Sequence, residues 1–315
     1  MTNTPKSAVT AGLRKDQSLP MRGLSNPRSA RSARSIGREW GGREKGTARS
    51  WACLAAALML NFAAGTSEGA NGTFTSPTGG DWSNVANWLD GTVASGSGAM
   101  ATLRGSSGKD VTLDAPVTIG SLALDGFTAT TADGRWILSG STLTFNSGTL
   151  GVKSVIDLGN ASNFGSGQRL EIGSVIAGSS GLAIRGGALS LTGTANTFTG
   201  GIDLQGRLLV AGAGSLNGNS IAISRDDSTI TFGRTTEVYS SDIVLGGDGI
   251  QFLARGAEAS TILSGDISEA GGSRDLVLSQ AGVALSYFRL RGNNSYTGNT
   301  IIGRTGNDTV PGLMT

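Results

Sequence analysis

Few residues in this sequence are of a type that could carry out chemistry. Asp226 and Asp227, which follow Arg225, are the only adjacent acidic pair. Paired carboxylates serve glycoside hydrolysis, and carboxylates also hold calcium. Because neighbouring strand residues point to opposite faces, the sequence predicts a solvated turn here, with a catalytic or metal-binding role as the alternative. The chain has no His and one Cys, Cys53, which excludes Ser-His-Asp and Cys-His catalysis, His-bound zinc and an intrachain disulfide.

Two Gly-Asp segments and two Trp residues are the other candidates. Residues 246–250 (Gly-Gly-Asp-Gly-Ile) and 306–308 (Gly-Asn-Asp) resemble fragments of calcium-binding β-roll repeats, but neither is in tandem. Each is therefore predicted to be a turn. Trp82 and Trp88 are predicted to lie in the core or cap of the folded region, and the alternative is an aromatic platform for a sugar. The sequence thus predicts no catalytic residue, no metal site and no cofactor.

Composition and charge narrow the classes of protein further. Of the 315 residues 51 are Gly and 6 are Pro, and only 15% are charged. Gly without a three-residue period, and with so little Pro, excludes collagen. Residues 1–50 hold 11 basic and 3 acidic residues, whereas the remainder holds 14 and 20. The basic residues are therefore concentrated in a leader ahead of a mildly acidic body, and no nucleic-acid partner is predicted.

The N-terminal part of the chain, 1–65, has the features of an export signal behind an unusual extension. Residues 1–50 predict a disordered basic leader, or a stretch that precedes a true start such as Met21. Residues 51–65 begin with an apolar run of about 14 residues, which is shorter than the roughly 20 residues of a bilayer span. The run ends in small residues and is typical of a signal-peptide h-region and cleavage zone; a buried core helix is the alternative. We therefore expect export and no stable transmembrane span in the mature chain.

From residue 66 onward the sequence alternates between short apolar runs and polar turns. Runs such as Val111-Thr-Leu113 and Leu122-Ala-Leu124 have a period of two, which predicts strands. A β-sandwich of hairpins and a β-solenoid both fit. The many Gly residues favour the solenoid, because each coil has corners that often need positive φ. We predict an all-β fold in which residues 66–315 form a right-handed parallel β-helix of about ten coils, and the sandwich stays open as the alternative.

One internal repeat is specific. Leu189-Ser-Leu-Thr-Gly-Thr-Ala-Asn196-Thr-Phe198-Thr-Gly200 reappears as Phe288-Arg-Leu-Arg-Gly-Asn-Asn294-Ser-Tyr296-Thr-Gly298, and the Asn, aromatic and final Gly positions recur at one constant spacing. The Leu-x-Leu strand is predicted to fill the core. The Asn is predicted to occupy a corner, where it can adopt the left-handed conformation and bond from coil to coil. The aromatic residue is predicted to stack on its counterpart in a neighbouring coil.

These motifs, at 188–216 and 288–303, resemble the autotransporter-associated β-strand repeat, also called the passenger-associated transport repeat. The segment Trp82-Ser-Asn-Val-Ala-Asn-Trp88 also resembles the N-terminal part of such proteins, so that the resemblance covers most of 74–303. It implies a right-handed β-helical passenger and brings no catalytic residues. The second copy departs from the pattern after Ile302, which predicts that the chain is C-terminally truncated.

The resemblance implies a non-enzymatic β-solenoid that is secreted or held at the bacterial cell surface as a structural or adhesive scaffold. A carbohydrate-binding or polysaccharide-degrading β-helix is the alternative function, and an incomplete reading frame without a role of its own is a third reading. The implied partners are an extracellular glycan or surface matrix. A translocator on another chain, or in a missing C-terminal part, is also implied.

Overall fold

The structure is a computed structural model, and it describes residues 69–126, 134–159, 169–233, 235–255, 260–281 and 287–305. The described residues all belong to one compact unit, Phe62–Thr315. The predicted leader and signal peptide (1–65), Cys53 and the Gly-Asn-Asp segment at 306–308 lie outside the described residues. These predictions therefore stay predictions.

Nearly all the regular structure is β. In chain order the strands are β1 (Gly72–Phe74), β2 (Gly80–Asp81), β3 (Met100–Arg104), β4 (Asp110–Leu113), β5 (Val117–Ile119), β6 (Ser121–Asp125), β7 (Trp136–Gly140), β8 (Leu143–Phe145), β9 (Ser154–Asp157), β10 (Arg169–Ile172), β11 (Ile176–Ala177), β12 (Leu182–Leu191), β13 (Ile202–Val210), β14 (Ile221–Ile223), β15 (Thr229–Phe232), β16 (Glu237–Tyr239), β17 (Ile243–Leu245), β18 (Ile250–Arg255), β19 (Ser260–Leu263), β20 (Ile267–Glu269), β21 (Leu276–Ala281), β22 (Tyr287–Leu290) and β23 (Thr300–Thr305). The helices in the described ranges are three single 3₁₀ turns, Val85–Asn87, Leu89–Gly91 and Ala213–Ser215.

The strands stack into three walls, and the chain passes from the first wall to the second, then to the third, and returns to the first one coil further along. The first wall contains β1, β3, β6, β9, the first halves of β12 and β13, β14, β17 and β20. The second contains β2, β4, β7, β10, the second halves of β12 and β13, β15, β18, β21 and β23. The third contains β5, β8 and β11, and later β16, β19 and β22.

Every strand pair in these walls is parallel, and the described residues contain only two isolated antiparallel bridges, both near the start of the stack. A sandwich of hairpins would consist of antiparallel neighbours, so the sandwich alternative is wrong and the parallel β-helix is confirmed. The second wall has ten rungs within the described ranges, which agrees with the predicted number of coils.

Coil length changes along the stack, as the register of the second wall shows. Leu138 is in register with Ile172, Ile172 with Leu191, and Leu191 with Val210, so that one long coil is followed by two short coils of equal length. The register partner of Val210 is Phe232, so the coil that follows the two short coils is longer than they are. We call residues 169–219 the middle coils and residues 220–305 the C-terminal coils. The middle coils have no third-wall strand after β11, because tight turns replace it.

The core is continuous through the stack but changes in composition. In the middle coils it is filled mainly by aliphatic side chains such as Leu191 and Val210, together with the ring of Phe198. In the C-terminal coils Phe232 contacts the rings of Tyr239, Phe252 and Phe288, at centroid distances of 4.8, 5.8 and 6.2 Å. A longer coil encloses a wider cross-section, which larger side chains fill at the density of a protein interior. Core volume therefore follows coil length.

Glycine is required at the corner between the first and second walls. Gly186 has a φ of 69°, and a Cβ there would lie 2.0 Å from the carbonyl oxygen of Gly159 in the preceding coil. A Cβ at Gly206, in the following coil, would lie 2.2 Å from the carbonyl oxygen of Gly186. Any side chain at these positions would push adjacent coils apart. The inference that the high Gly content reflects stacked corners is confirmed here.

The two copies of the internal repeat share one hydrogen-bonding arrangement. Asn196 Oδ1 accepts a hydrogen bond from the backbone N–H of Ile176 in the preceding coil (2.8 Å), and Asn294 Oδ1 accepts one from Ile267 (3.0 Å). The backbone N–H of the residue after each Asn donates to the carbonyl of the same Ile, at 2.9 and 2.8 Å. The predicted coil-to-coil bonding of the Asn residues is therefore confirmed. We call this arrangement, in which the Asn side chain and the next backbone N–H both bond to one Ile of the preceding coil, the Asn clamp.

The copies occupy different walls of the solenoid. The Leu-x-Leu strand of the first copy lies in β12 on the second wall, and the matching strand of the second copy is β22 on the third. The strands that follow, β13 and β23, begin on the first and second walls, respectively. The second copy is thus displaced by one wall around the axis. The repeat fixes a local strand–corner–strand unit and does not fix a position in the coil.

Two details predicted for the repeat are wrong. Asn196 and Asn294 do not adopt positive φ, whereas Asn217 in the next turn of the middle coils does, at 50°. In the part of the chain that the structure describes, neither Phe198 nor Tyr296 pairs with another ring. Phe198 is buried in the core, and the Tyr296 hydroxyl lies 2.6 Å from that of Thr300. The Asn acts through its side-chain amide, and the aromatic residue packs in or against the core.

Candidate functional site

Trp82 and Trp88 belong to the core of the first coils. They are 2% and 3% exposed, and their rings pack edge to face with centroids 4.8 Å apart. The indole N–H of Trp82 donates to the carbonyl of Ala94 (3.1 Å), and that of Trp88 donates to the carbonyl of Trp82 (2.6 Å). An aromatic sugar platform needs an exposed ring face, so the platform interpretation is wrong and the core interpretation is confirmed.

Asp226 and Asp227 form an exposed turn at the corner between the first and second walls. The 246–250 segment forms the same corner one coil later, and the two turns are hydrogen-bonded. Asp226 Oδ1 accepts from the backbone N–H of Asp248 (2.9 Å), and the N–H of Asp227 donates to the carbonyl of Asp248 (2.8 Å). Asp227 has a φ of 57°. The predicted turns are both confirmed, and the register joins two segments that the sequence analysis treated separately.

The same corner continues through the next two coils. Arg274 Nη1 lies 2.9 Å from Asp248 Oδ1, and this hydrogen bond raises the pKa of the guanidinium. Glu269 Oε2 accepts from the backbone N–H of Arg274 (2.9 Å), and Oε1 accepts from the hydroxyl of Thr297 (2.6 Å). The bonds from Thr297 hold the pKa of the Glu269 carboxyl below its ordinary value. We call Asp226, Asp248, Glu269, Arg274 and Thr297 the charged corner.

Carboxylates outside the charged corner bond to the next coil in the same way. Asp242 and Asp266 lie on consecutive coils between the third and first walls, and Asp275 lies beside Arg274. Each offers Oδ1 to the backbone N–H of the corresponding residue one coil later, namely Asp266 (2.9 Å), Asn293 (2.7 Å) and Asn299 (2.7 Å). These acidic side chains therefore act as acceptors that hold successive coils together.

The charged corner has the chemistry of a structural element. The carboxylates of Asp226 and Glu269 accept from backbone and hydroxyl donors, and the carboxylate of Asp248 pairs with Arg274. Within the described ranges no three potential metal-ligating side chains lie together. Glu269, Arg274 and Thr297 were not predicted from the sequence. Arg274 lies 26 residues after its partner Asp248, and Thr297 lies 28 residues after its partner Glu269, so only the coil register brings each pair together.

Comparison with known proteins gives one informative similarity. The chain is 31% identical over 186 residues to the adhesin BmaC autotransporter of Brucella suis biovar 1 (strain 1330), an alignment that covers 55% of this chain and 5% of the adhesin. No family model and no solved structure matches the chain. The chain thus corresponds to a small part of the adhesin's length. The similarity relates the chain to autotransporter adhesins and does not identify a particular repeat family.

Together with the fold, this similarity fits an adhesin-like scaffold of a bacterial surface. A parallel β-helix is stabilised by contacts between neighbouring coils and presents long side walls. In the part of the chain that the structure describes, no helix is long and apolar enough to cross a bilayer.

Proposed function

We propose that this chain is a non-enzymatic, exported β-solenoid of the autotransporter passenger type, which acts as a structural or adhesive scaffold at the bacterial cell surface or in the surrounding medium. The observation that carries the proposal is the uninterrupted stack of parallel coils combined with similarity to an adhesin autotransporter. The motifs at 188–216 and 288–303 support assignment to the autotransporter-associated repeat, because both contain the same Asn clamp.

The energetics of the fold suit such a role. Each coil is stabilised by the coil before and the coil after it, so the stack can be long without needing one central core. If residues 51–65 are a signal peptide that is cleaved after export, the mature chain has no Cys. A chain without disulfides can be threaded through a membrane pore unfolded and can then fold coil by coil. The translocator is proposed to lie on the longer protein or on another chain.

Adhesion can be measured directly on the full chain. Beads coated with the full chain are incubated with epithelial cell layers and with immobilised matrix components, and retention is compared with that of beads coated with bovine serum albumin. We expect retention several-fold above the albumin beads. Retention equal to albumin on every surface would contradict an adhesive role.

Export is tested separately in the native host. Intact cells are treated with proteinase K, and the mature N-terminus is sequenced. We expect surface digestion and an N-terminus near residue 66; an intracellular protein that retains Trp51 would contradict export.

The polysaccharide-degrading alternative has its own measurement. Full chain is incubated with polygalacturonate and with neutral polysaccharides, and reducing ends are counted over time. We expect no release above buffer, because the carboxylates of the charged corner are hydrogen-bonded to backbone N–H groups, to the hydroxyl of Thr297 and to the guanidinium of Arg274. Turnover that Asp226→Ala abolishes would replace the scaffold proposal by an enzymatic one.

A further inference from the structure

The last strand of the third wall presents a row of exposed side chains that the fold does not use. Phe288 and Leu290 of β22 pack against the core, so Tyr287, Arg289 and Arg291 face outward by strand alternation. All three are exposed, and Tyr287 is 52% exposed. Successive members of the row are about 6.7 Å apart along the backbone. We call these three residues the outer row.

The arginines of the outer row differ from most described cations. Arg104, Arg135, Lys153 and Arg274 are paired with carboxylates at 2.7 to 2.9 Å. Lys109, Arg207 and Arg225 also have partners. Among the cationic side chains that the structure describes, Arg185, Arg289 and Arg291 make no ion pair or side-chain hydrogen bond with another described residue. Two of these three lie side by side on β22 and the residue that follows it, next to an exposed aromatic ring.

We propose that the outer row binds a carboxylated polysaccharide, with Arg289 and Arg291 pairing with carboxylates and the Tyr287 ring packing against a sugar face. Guanidinium groups bind carboxylates through two parallel hydrogen bonds, and an aromatic ring supplies flat apolar area with little loss of side-chain entropy. The proposal deepens the proposed adhesive role and rests on it for its biological meaning.

Charge favours a sparse polyanion over a nucleic acid. Outside residues 1–50 the chain holds 14 basic and 20 acidic residues, so a polymer with one charge per about 1.7 Å would be repelled by most of the surface. Two neighbouring guanidinium groups suit a polymer that carries about one carboxylate per sugar. In the same register column as Arg289, the two preceding rungs of the third wall hold Ile262, which is buried, and Val238, which is exposed, so neither rung places a negative charge beside Arg289.

Binding of polygalacturonate to the full chain tests the proposal. Affinity is measured by biolayer interferometry at several NaCl concentrations, with dextran as the neutral polymer and an oligothymidylate as the nucleic acid. We expect saturable binding to polygalacturonate that weakens as salt rises, and none to dextran. No binding to polygalacturonate, or equal binding to oligothymidylate through the same residues, would overturn the assignment.

The chain offers a matched control, because Arg185 is an exposed arginine without a described partner on another wall. The double variant Arg289→Ser/Arg291→Ser is expected to weaken polygalacturonate binding at least tenfold, whereas Arg185→Ser changes it less than twofold. Tyr287→Ala is expected to weaken binding about threefold and Tyr287→Phe to leave it unchanged. Arg289→Lys/Arg291→Lys, which keeps the charge and loses the paired donors, should lie between the wild type and the Ser variant.

Two outcomes count against the outer row itself. Equal losses in Arg185→Ser and the double variant would show that general charge, and not the row, attracts the polymer. Unchanged binding in the double variant would place the site elsewhere.

Thermal unfolding of each variant separates loss of the site from loss of the fold. Each melting temperature is expected within about 2 °C of the wild type, because the side chains are exposed. Polymer binding without retention on cells would contradict adhesion alone, and retention without polymer binding would contradict the outer row alone.

Discussion

The middle coils and the C-terminal coils belong to one stack of parallel strands but are built by different means. The middle coils are short, have a mostly aliphatic core that includes the single ring of Phe198, and are joined at their corners by buried Asn amides. The C-terminal coils are longer, contain an aromatic cluster and are joined mostly by carboxylates at exposed or half-exposed corners, together with the exposed amide of Asn294. A neutral amide can satisfy several backbone groups at a buried corner without burying a charge, whereas a carboxylate avoids that cost only at a corner that solvent reaches.

The Asn residues of the middle coils are fully used. Asn196, which is 4% exposed, accepts from Ile176 of the coil before and donates to the carbonyl of Ser215 of the coil after (2.9 Å). Asn219 accepts from Gly201 (3.1 Å) and donates to the carbonyl of Phe198 (2.8 Å). Each amide therefore ties adjacent coils together. A carboxylate could accept in the same way but could not donate, so Asp at either position would lose the bonds to the backbone carbonyls.

Truncation of a core side chain should give the largest difference in stability between the middle coils and the C-terminal coils. We expect Phe232→Ala to lower the free energy of unfolding by about 4 kcal/mol, because it leaves a cavity where three other rings meet. Val210, its register partner in the middle coils, should cost only about 2 kcal/mol when changed to Ala. Urea unfolding followed by tryptophan fluorescence measures both. Equal costs would contradict the link between coil length and core volume.

The second-largest effect on stability is expected when the buried amide of Asn196 is replaced. Asn196→Ala removes the side-chain acceptor of the Ile176 N–H and takes a donor away from two backbone carbonyls. We expect the free energy of unfolding to fall by about 3 kcal/mol. Asn196→Asp keeps Oδ1 but buries a charge that cannot donate, so it should be at least as destabilising. The same urea titration measures both variants. An Asn196→Asp variant as stable as the wild type would break the distinction between amide and carboxylate corners.

The response to acid should be stronger in the C-terminal coils than in the middle coils. The folded pKa of Glu269 lies below its ordinary value of 4.5, so its stabilising effect is complete above that ordinary value and is lost as the pH falls through the folded pKa. Hydrogen exchange between pH 6 and 3 should show faster opening of β21 and β23 on acidification, and the Asn-joined middle coils should change less. Glu269→Gln should remove part of this dependence. Uniform acid sensitivity along the stack would be the contradicting result.

The smallest effect is expected at Asp226. Its side chain is exposed, and water can replace it at the N–H of Asp248. Asp226→Ala should therefore shift the melting temperature by no more than about 2 °C, as measured by circular dichroism. A shift as large as that of Asn196→Ala would show that exposed and buried corner side chains contribute alike.

The sequence predicted the fold class well because its signals are local. A period of two in runs such as Leu122-Ala-Leu124 and Leu143-Thr-Phe145 predicts strands wherever they lie, and both runs are strand segments with their Leu and Phe side chains buried. The density of Gly and the repeat around Asn196 indicated corners that stack. Burial of Trp82 and Trp88 also followed from the expectation that large apolar side chains lie inside.

The charged corner could not be predicted because register is not a local property. Asp226 meets Asp248 after 22 residues, but Glu269 meets Thr297 after 28, so no fixed spacing in the sequence marks the partners. The displacement of the second repeat copy is hidden for the same reason. Its sequence specifies the Asn clamp, and the lengths of the intervening coils decide which wall it occupies.

The one-wall displacement of the second repeat copy has an evolutionary consequence. Because the strand–corner–strand unit works on more than one wall, duplication or deletion within the gene need not preserve a whole number of turns. A change by a third of a turn carries the downstream chain to a new azimuth while leaving its clamps intact. A small gain or loss of sequence can thus turn a given loop toward a different side of the solenoid without disturbing the coils before it.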